Sequence, residues 1–386
     1  MSAEVADTER AGPKLTKKLF AAWAVISLIL SLAGSTAAHE NSDSQPGEKP
    51  GEKIDRSMTV DPAAVVTLCV ASGTLRVRGW DKNEIHVRSL DAAQIEFRRI
   101  DKVKDTTKPA TRIDVMVLDK VTGANPKLDC QALASVEMDV PVGATVQVQT
   151  RDGDIAIAGV SAAYAGSQNG DIQIERVTKL IEAGSLGGSI FLKDSSGRVS
   201  LSSASCVLEV VNVRPTSDED TFEVGTVSGD IQLSRVSNPK VTAKTVNGTL
   251  MMSGPLAKSG WYGFTNMTGD VVLTMPHDAS FQLNAKVSEK HDIVSDFALK
   301  YLSEPPPPPP AARPGKPARA TPESAPKPPA AKSLPRTGPV VAPIVVEKPT
   351  VVANPYVPRR VSAVCGTGDA TISIASFGGT VRLKKI

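Results

Sequence analysis

Five aspartates each stand directly after a glycine at a recurring position: Asp154, Asp171, Asp230, Asp270 and Asp369. Regularly spaced carboxylates could act as the acid and base of a glycosidase, or as oxygen ligands for calcium. The pattern argues against both uses. Ser189, Val207 and Thr249 fill the same slot in intervening copies, and an aspartate beside a turn glycine commonly bonds its own backbone. The nonapeptide calcium repeat requires Gly-Gly-x-Gly-x-Asp, which this chain lacks. His39, His86, His277 and His291 are scattered, with no pair at helical metal-ligand spacing, and there is no Gly-x-Ser-x-Gly elbow or phosphate-binding glycine loop. The expectation is a protein with no catalytic residue, no metal site and no cofactor.

Two other groups of residues bear on chemistry. Trp261, Tyr262 and Phe264 form the densest aromatic group; the latter two fall in inward positions of the pattern described below. Trp261 alternates to the other face and is the candidate ligand contact, a platform for a sugar or an apolar partner. The four cysteines, Cys69, Cys130, Cys206 and Cys365, lack the close-set spacing of a zinc site. They allow three pairings, of which Cys69 with Cys130 is favoured because both lie in the N-terminal region. Cys206 and Cys365 read as small buried residues.

The elements that must position these residues are repeats. The corner residues Gly153, Gly170, Gly188, Cys206, Gly229, Gly248 and Gly269 follow one another at 17, 18, 18, 23, 19 and 21 residues, Gly368 is read as a further corner, and Ile374, Ser376, Gly379, Val381 and Leu383 as a last compressed copy. Apolar residues stand two and four positions after each corner, such as Ile155 and Ile157 or Ile231 and Leu233, and five before it, such as Val148 and Leu201. Three before it comes a small, usually hydroxyl residue: Thr150, Ser167, Ser185, Ser203, Thr226, Thr245, Asn266 and Cys365. Apolar residues two apart on both sides of a glycine predict strand, tight bend, strand. A period of about 20 residues predicts coils that are stable only when stacked. The hydroxyls then read as a ladder satisfying buried polar groups rather than as nucleophiles. The expected fold is all-β, a β-solenoid resembling a parallel β-helix, over residues 58–302 with closing coils at 361–386. An earlier copy at Val66, Leu68, Val70, Gly73, Leu75 and Val77 puts Trp80 in the place of Val160 and Val177. Between residues 84 and 145 the repeat lapses, and antiparallel strands capping one end are expected.

Composition bounds the class. The 386-residue chain carries a net charge of +3 and only 4% aromatic residues, with no basic stripe interleaved with aromatics, so nucleic acid is not an expected partner. Lys14, Lys17 and Lys18 precede an apolar run from Leu19 to Gly34 that ends in Ser35-Thr36-Ala37-Ala38, the pattern of a secretory signal peptide over residues 1–38. Residues 39–57 read as a flexible linker. Membrane contact is expected only through the N-terminal segment, if it is retained. From residue 303 to 360 the chain turns to proline, alanine and basic residues, starting with unbroken proline from Pro305 to Pro310, and reads as a disordered insert thrown out between coils. Leu334-Pro335-Arg336-Thr337-Gly338 matches a sortase pentapeptide, but Pro343, Glu347, Lys348 and Pro349 break the apolar run that a sorting signal needs.

The serial Thr/Ser-x-x-Gly-Asp-Ile-x-Ile pattern, Val140-Pro141-Val142-Gly143 and the closing Gly378-Gly379-x-Val381-x-Leu383 resemble the bacterial putative-adhesin domain family. That resemblance implies a β-solenoid and an envelope setting and supplies no functional residues. The functional expectation is an exported, non-enzymatic binding or scaffolding module of the periplasm or cell surface, with an unidentified envelope polymer or protein as partner. The alternatives are a polysaccharide-active β-helix enzyme, a lyase or hydrolase, and a self-assembling envelope protein.

Overall fold

The computed structural model of the chain describes residues 54–91, 93–101, 108–118, 130–288, 292–302 and 358–386. The expected signal peptide, linker residues 39–53 and the insert up to residue 357 lie outside the described residues. Residues 54–57 and 358–360, expected as linker and insert, open and belong to strands. Among the described residues there are 26 strands and no helix, so none long and apolar enough to cross a membrane.

In chain order the strands are β1 (Ile54–Ser72), β2 (Leu75–Trp80), β3 (Glu84–Ser89), β4 (Gln94–Arg99), β5 (Ala110–Leu118), β6 (Val136–Pro141), β7 (Thr145–Asp152), β8 (Ile155–Ala158), β9 (Ala162–Asn169), β10 (Ile172–Glu175), β11 (Leu180–Ser185), β12 (Ile190–Ser196) and β13 (Arg198–Ser203). They continue as β14 (Leu208–Arg214), β15 (Thr221–Ser228), β16 (Ile231–Val236), β17 (Lys240–Asn247), β18 (Leu250–Ser253), β19 (Trp261–Thr268), β20 (Val271–Met275), β21 (Phe281–Ser288), β22 (Ile293–Ser295), β23 (Lys300–Tyr301), β24 (Pro358–Cys365), β25 (Ala370–Ser376) and β26 (Val381–Lys385). From β7 to β20 each odd strand pairs in parallel with the next odd strand and each even with the next even. Every coil therefore gives one strand to an even-numbered sheet A and one to an odd-numbered sheet B, with the corner between them.

The repeat columns line the space between the sheets. Ile155, Ile172, Ile190, Leu208, Ile231, Leu250 and Val271 on sheet A are buried, as are Val148, Ala165, Ala183, Leu201, Val224, Ala243 and Phe264 on sheet B. Each fully buried aliphatic side chain contributes about 1.5–3 kcal/mol, offset by the chain entropy lost in ordering it. The corners need glycine because the backbones touch. A Cβ on Gly170 would lie 2.1 Å from the Gly153 carbonyl oxygen, and one on Gly188 would lie 1.9 Å from that of Gly170. The second bend of each coil, six residues after the corner, is less restricted: Gly159 and Gly254 hold it in two coils, while Arg176, Asp194, Asn212 and Arg235 hold it in four others with φ between 49° and 58°, in the left-handed region that residues other than glycine seldom enter.

The stacking order departs from the chain order at both ends. At the N-terminal end β5 and β6 pair in parallel with β1 and β2, so the coil of β1 and β2 lies between the coil of β5 and β6 and that of β7 and β8. The expected antiparallel cap is present, but as β4 on β5, β3 on β6, and the first half of β1 on β3. At the C-terminal end β25 and β26 pair with β19 and β20 on one side and with β21 and β22 on the other. The last coil in sequence is thus inserted before the coil that precedes it in the chain. Gly368 is consequently not a corner: β24 runs antiparallel to β21 on its far side. The corner column passes through Gly379, where a Cβ would sit 1.8 Å from the Gly269 carbonyl oxygen. Residues 361–372 mimic the repeat because a tight turn joining two strands of one sheet shows the same alternation as a coil.

Candidate functional site

The acidic corners are built into the stack. Asp154 Oδ1 accepts the backbone N–H of Asp171 at 2.9 Å, Asp171 that of Ser189 at 2.8 Å, Asp230 that of Thr249 at 2.7 Å and Asp270 that of Thr380 at 2.9 Å. Each carboxylate therefore bonds the next coil rather than its own turn. The hydroxyl column works in the opposite direction. Ser167 Oγ donates to the Gly153 carbonyl at 3.2 Å, Ser185 to Gly170 at 3.3 Å and Thr245 to Gly229 at 3.2 Å, while Asn266 Nδ2 donates to Gly248 at 3.0 Å. Ser376, not Cys365, closes this column and is fully buried. Asp369 stands apart and accepts from Thr367 Oγ1 at 2.7 Å. Among the described residues no three His, Cys, Asp or Glu side chains are placed to share a metal ion.

Trp261 lies on the outer face of sheet B, 38% exposed, with Lys240 Nζ 5.9 Å from its ring centroid. Its indole spreads over Gly263, where a Cβ would come within 2.3 Å of the ring. Tyr262 points inward; its hydroxyl accepts the Ala257 N–H at 2.7 Å, and burial pushes its pKa up. On the same outer face, two residues before the corners Gly188, Gly229, Gly248 and Gly269, Leu186, Val227, Val246 and Met267 are all exposed. The sequence shows these residues but not that they align. Cys69 projects outward from β1 and is disulfide-bonded to Cys130, with Cα atoms 4.8 Å apart. Cys206 and Cys365 are free and half-buried, and burial together with the Asp171 carboxylate raises the Cys206 thiol pKa.

The densest polar cluster forms on the outer face of sheet A, where Asp139 meets arginines 61 and 51 residues earlier in the chain. Asp139 on β6 is almost fully buried. It accepts from Arg78 Nε at 2.9 Å and from Arg88 Nη2 at 3.2 Å, and its Oδ2 lies 3.6 Å from His86 Nδ1. His86 Nε2 also contacts Asp55, and its ring stacks on Trp80 at 5.9 Å between centroids. Trp80 is thus turned outward, with Nε1 donating to the Glu84 carbonyl at 2.7 Å, and does not fill the inward place of Val160. The alternation of Arg76 with Arg78 and of Glu137 with Asp139 was the available signal, but the pairing of β3, β6 and β2 was not readable.

Comparisons with known proteins bear on the fold. A family model described as Toastrack DUF4097 matches residues 102–300, just over half of the chain. No significant relative was found among curated proteins. Solved structures similar to the chain include a putative cell adhesion protein from Clostridium sporogenes, at 8% identity over 87% of this chain and 100% of that one, with a TM-score of 0.20. A putative adhesin from Bacteroides fragilis shows 11% identity over 88% and 100%, with a TM-score of 0.35. A putative lipid binding protein from Parabacteroides distasonis shows 14% identity over 58% and 90%, with a TM-score of 0.37. Similarity this distant says nothing of what the chain binds.

Proposed function

Because the chain belongs to the Toastrack DUF4097 family, whose fold here stacks coils into two long outer faces, we propose that it is an exported, non-enzymatic binding module of the cell envelope. One observation carries the reading. The corner carboxylates of Asp154, Asp171, Asp230 and Asp270, the groups best placed by number and spacing to do chemistry, each accept a backbone N–H of the next coil, and Ser167, Ser185 and Thr245 donate back to the preceding one; the Thr150, Ser203 and Thr226 hydroxyls are buried away from solvent without a partner. Residues that serve as coil-to-coil acceptors are poor candidates for an acid and base that must change protonation in a catalytic cycle. Export is supported by the signal-like residues 1–38 and by the Cys69–Cys130 disulfide, which persists in an oxidising compartment. Residues 39–53 then serve as a tether and 303–357 as an insert leaving the solenoid at its C-terminal end. Trp261 is the first residue assigned to ligand contact, since an exposed aromatic anchors an interface by about 2 kcal/mol or more.

Self-assembly through strand edges is the weaker reading, because the terminal strands resist it. β22 has three residues and β23 two, and the β4 edge carries Arg98 and Arg99; short and charged edges pair poorly with other chains. The test is a glycan and cell-wall-fraction binding screen on the exported protein, run beside assays for release of sugars, uronates or peptides. Binding without turnover, weakened by Trp261→Ala, is the expected result. Product release that disappears when one acidic residue is changed overturns it in favour of the polysaccharide-active enzyme.

A further inference from the structure

Across the outer face of sheet A the register aligns side chains into two cross-strand rows. One runs His86, Asp139, Arg78, Ala158, Glu175, Lys193, and the other Arg88, Glu137, Arg76, Ala156, Gln173, Phe191. Charged, polar or bulky side chains occupy every position except those of β8, where both rows carry alanine. The result is a cleft of about 320 Å³, with Ala156 and Ala158 as its floor, Arg76 and Arg78 on one rim and Gln173 and Glu175 on the other. The rims belong to strands two positions apart in the sheet, so their backbones are separated by roughly 9.6 Å, twice the strand spacing.

Three features make this a site rather than a dent. The cationic rim is fixed in place, because nearly buried Asp139 accepts from Arg78 through Nε and leaves the outer guanidinium nitrogens of Arg78 facing outward on a side chain 69% exposed. Arg76 is also under-used, since among the described residues its ion-pair contact is with Glu137 alone, at 4.0 Å. Behind the cationic rim the lining continues through Glu137 and Asp139 on β6 to Arg88 on β3, whose Nε is buried without a hydrogen-bond partner, a donor that costs free energy while it stays unsatisfied.

The two rims differ in sign, and that selects the ligand. We propose that this cleft binds an acidic saccharide: one uronate-type ring lies with its C–H face on Ala156 and Ala158, its carboxylate on Arg76 and Arg78, and its hydroxyls on Gln173 and Glu175. A planar guanidinium pair matches a carboxylate bidentately. The far rim needs donors, which sugar hydroxyls supply and a second carboxylate does not. A small inorganic anion would use the arginines alone and leave floor and far rim idle. An acidic peptide would place a like charge against Glu175. The site goes beyond the reading centred on Trp261, because Trp261 lies on sheet B.

The experiment is a calorimetric titration of the full chain with tri-galacturonate, with neutral galactotriose, hexaglutamate and inorganic phosphate as separate arms. Tri-galacturonate should bind, and added salt should weaken it, as for exposed charges within a Debye length of solvent ions. Ala156→Phe should weaken binding by about tenfold or more by filling the floor. The fold should tolerate this change, since Phe191 already holds the corresponding place two coils away. Arg76→Gln, on a side chain 67% exposed, should give a loss of the same order by removing one guanidinium. Trp261 lies on sheet B and lines no part of this cleft, so the cleft variants Ala156→Phe and Arg76→Gln test this assignment and the Trp261 variant tests the sheet B reading, and failure of one is separable from failure of the other. No binding of tri-galacturonate, equally tight galactotriose, phosphate or hexaglutamate, or binding that survives both Ala156→Phe and Arg76→Gln would each overturn the assignment.

Discussion

The two ends of the solenoid solve one problem with different chemistry. In both, the outermost strands in sequence, β1 and β2 at one end and β25 and β26 at the other, supply the next-to-last coil and are clamped between two neighbours instead of forming the exposed edge. At the N-terminal end the clamp is covalent and ionic: the Cys69–Cys130 bridge ties β1 to the segment leading into β6, and Asp139 on β6 gathers Arg78 from β2 and His86 and Arg88 from β3. At the C-terminal end it is apolar. Ile372, Ile374, Val381 and Leu383 fill the core columns between neighbouring coils, and Phe281 meets Phe297 edge-to-face at 5.4 Å. Antiparallel strands cover both sheets at the first end. At the second they cover only sheet B, through β24 and β23. The first end should therefore respond to reductant, and the second to loss of buried area.

The largest expected effect breaks the comparison at the C-terminal end. Truncation after Leu302 removes β24, β25 and β26, and with them the coil between β19–β20 and β21–β22. Unlike the loss of an outermost coil, this leaves the remaining last coil without its partner in either sheet. The expected outcome is loss of most of the net stability, which for a domain is about 5–15 kcal/mol, seen as an insoluble chain or an absent cooperative transition. A soluble truncation that melts like the full chain would show that the inserted coil is dispensable. Phe281→Ala comes next. Its ring is fully buried, and truncating it should cost about 3–5 kcal/mol in denaturant unfolding.

The N-terminal clamp should yield less. Replacing Cys69 and Cys130 by alanine together should cost about 2–4 kcal/mol, since the bridge closes a long loop in the unfolded chain. Amide exchange should then accelerate in β1, β2, β5 and β6 and stay unchanged in β21 to β26. Equal acceleration at both ends would mean that the ends are coupled through the stack and do not open separately.

How much of this was legible depends on what periodicity records. The inward columns and the corner were readable because burial and close backbone approach act on each copy alike: Ile172 and Gly188 would be recognisable in any order of stacking. That indifference to order is also why the threading was hidden. Parallel coils present the same columns whichever neighbour they meet, so nothing in Ile374, Ser376, Gly379, Val381 and Leu383 says that they pack against β19 and β20. Gly368 drew a false corner because alternation and a turn glycine do not distinguish a coil crossing between sheets from a turn within one. The charged cluster on sheet A was out of reach for a related reason: Arg78 and Asp139 are 61 residues apart, and only the pairing of β2 with β6 brings them together.

The smallest expected effect sharpens the comparison by separating the inserted coil from the segment that delivers it. The Leu302 N–H donates to the Ser362 carbonyl at 2.8 Å, and Tyr301 is registered with Ala363, so the chain leaves and re-enters the solenoid close together. A short Gly/Ser linker can therefore replace residues 303–357. Loop-closure entropy changes only logarithmically with length, and the melting free energy should move by about 1 kcal/mol or less. The truncation and the linker swap remove nearly the same residues from the insert and differ in the coil they spare. A large gap between them assigns the C-terminal clamp to β24, β25 and β26. If the linker variant were as unstable as the truncation, residues 303–357 would themselves have to bury surface on the solenoid, and the clamp would extend beyond the inserted coil.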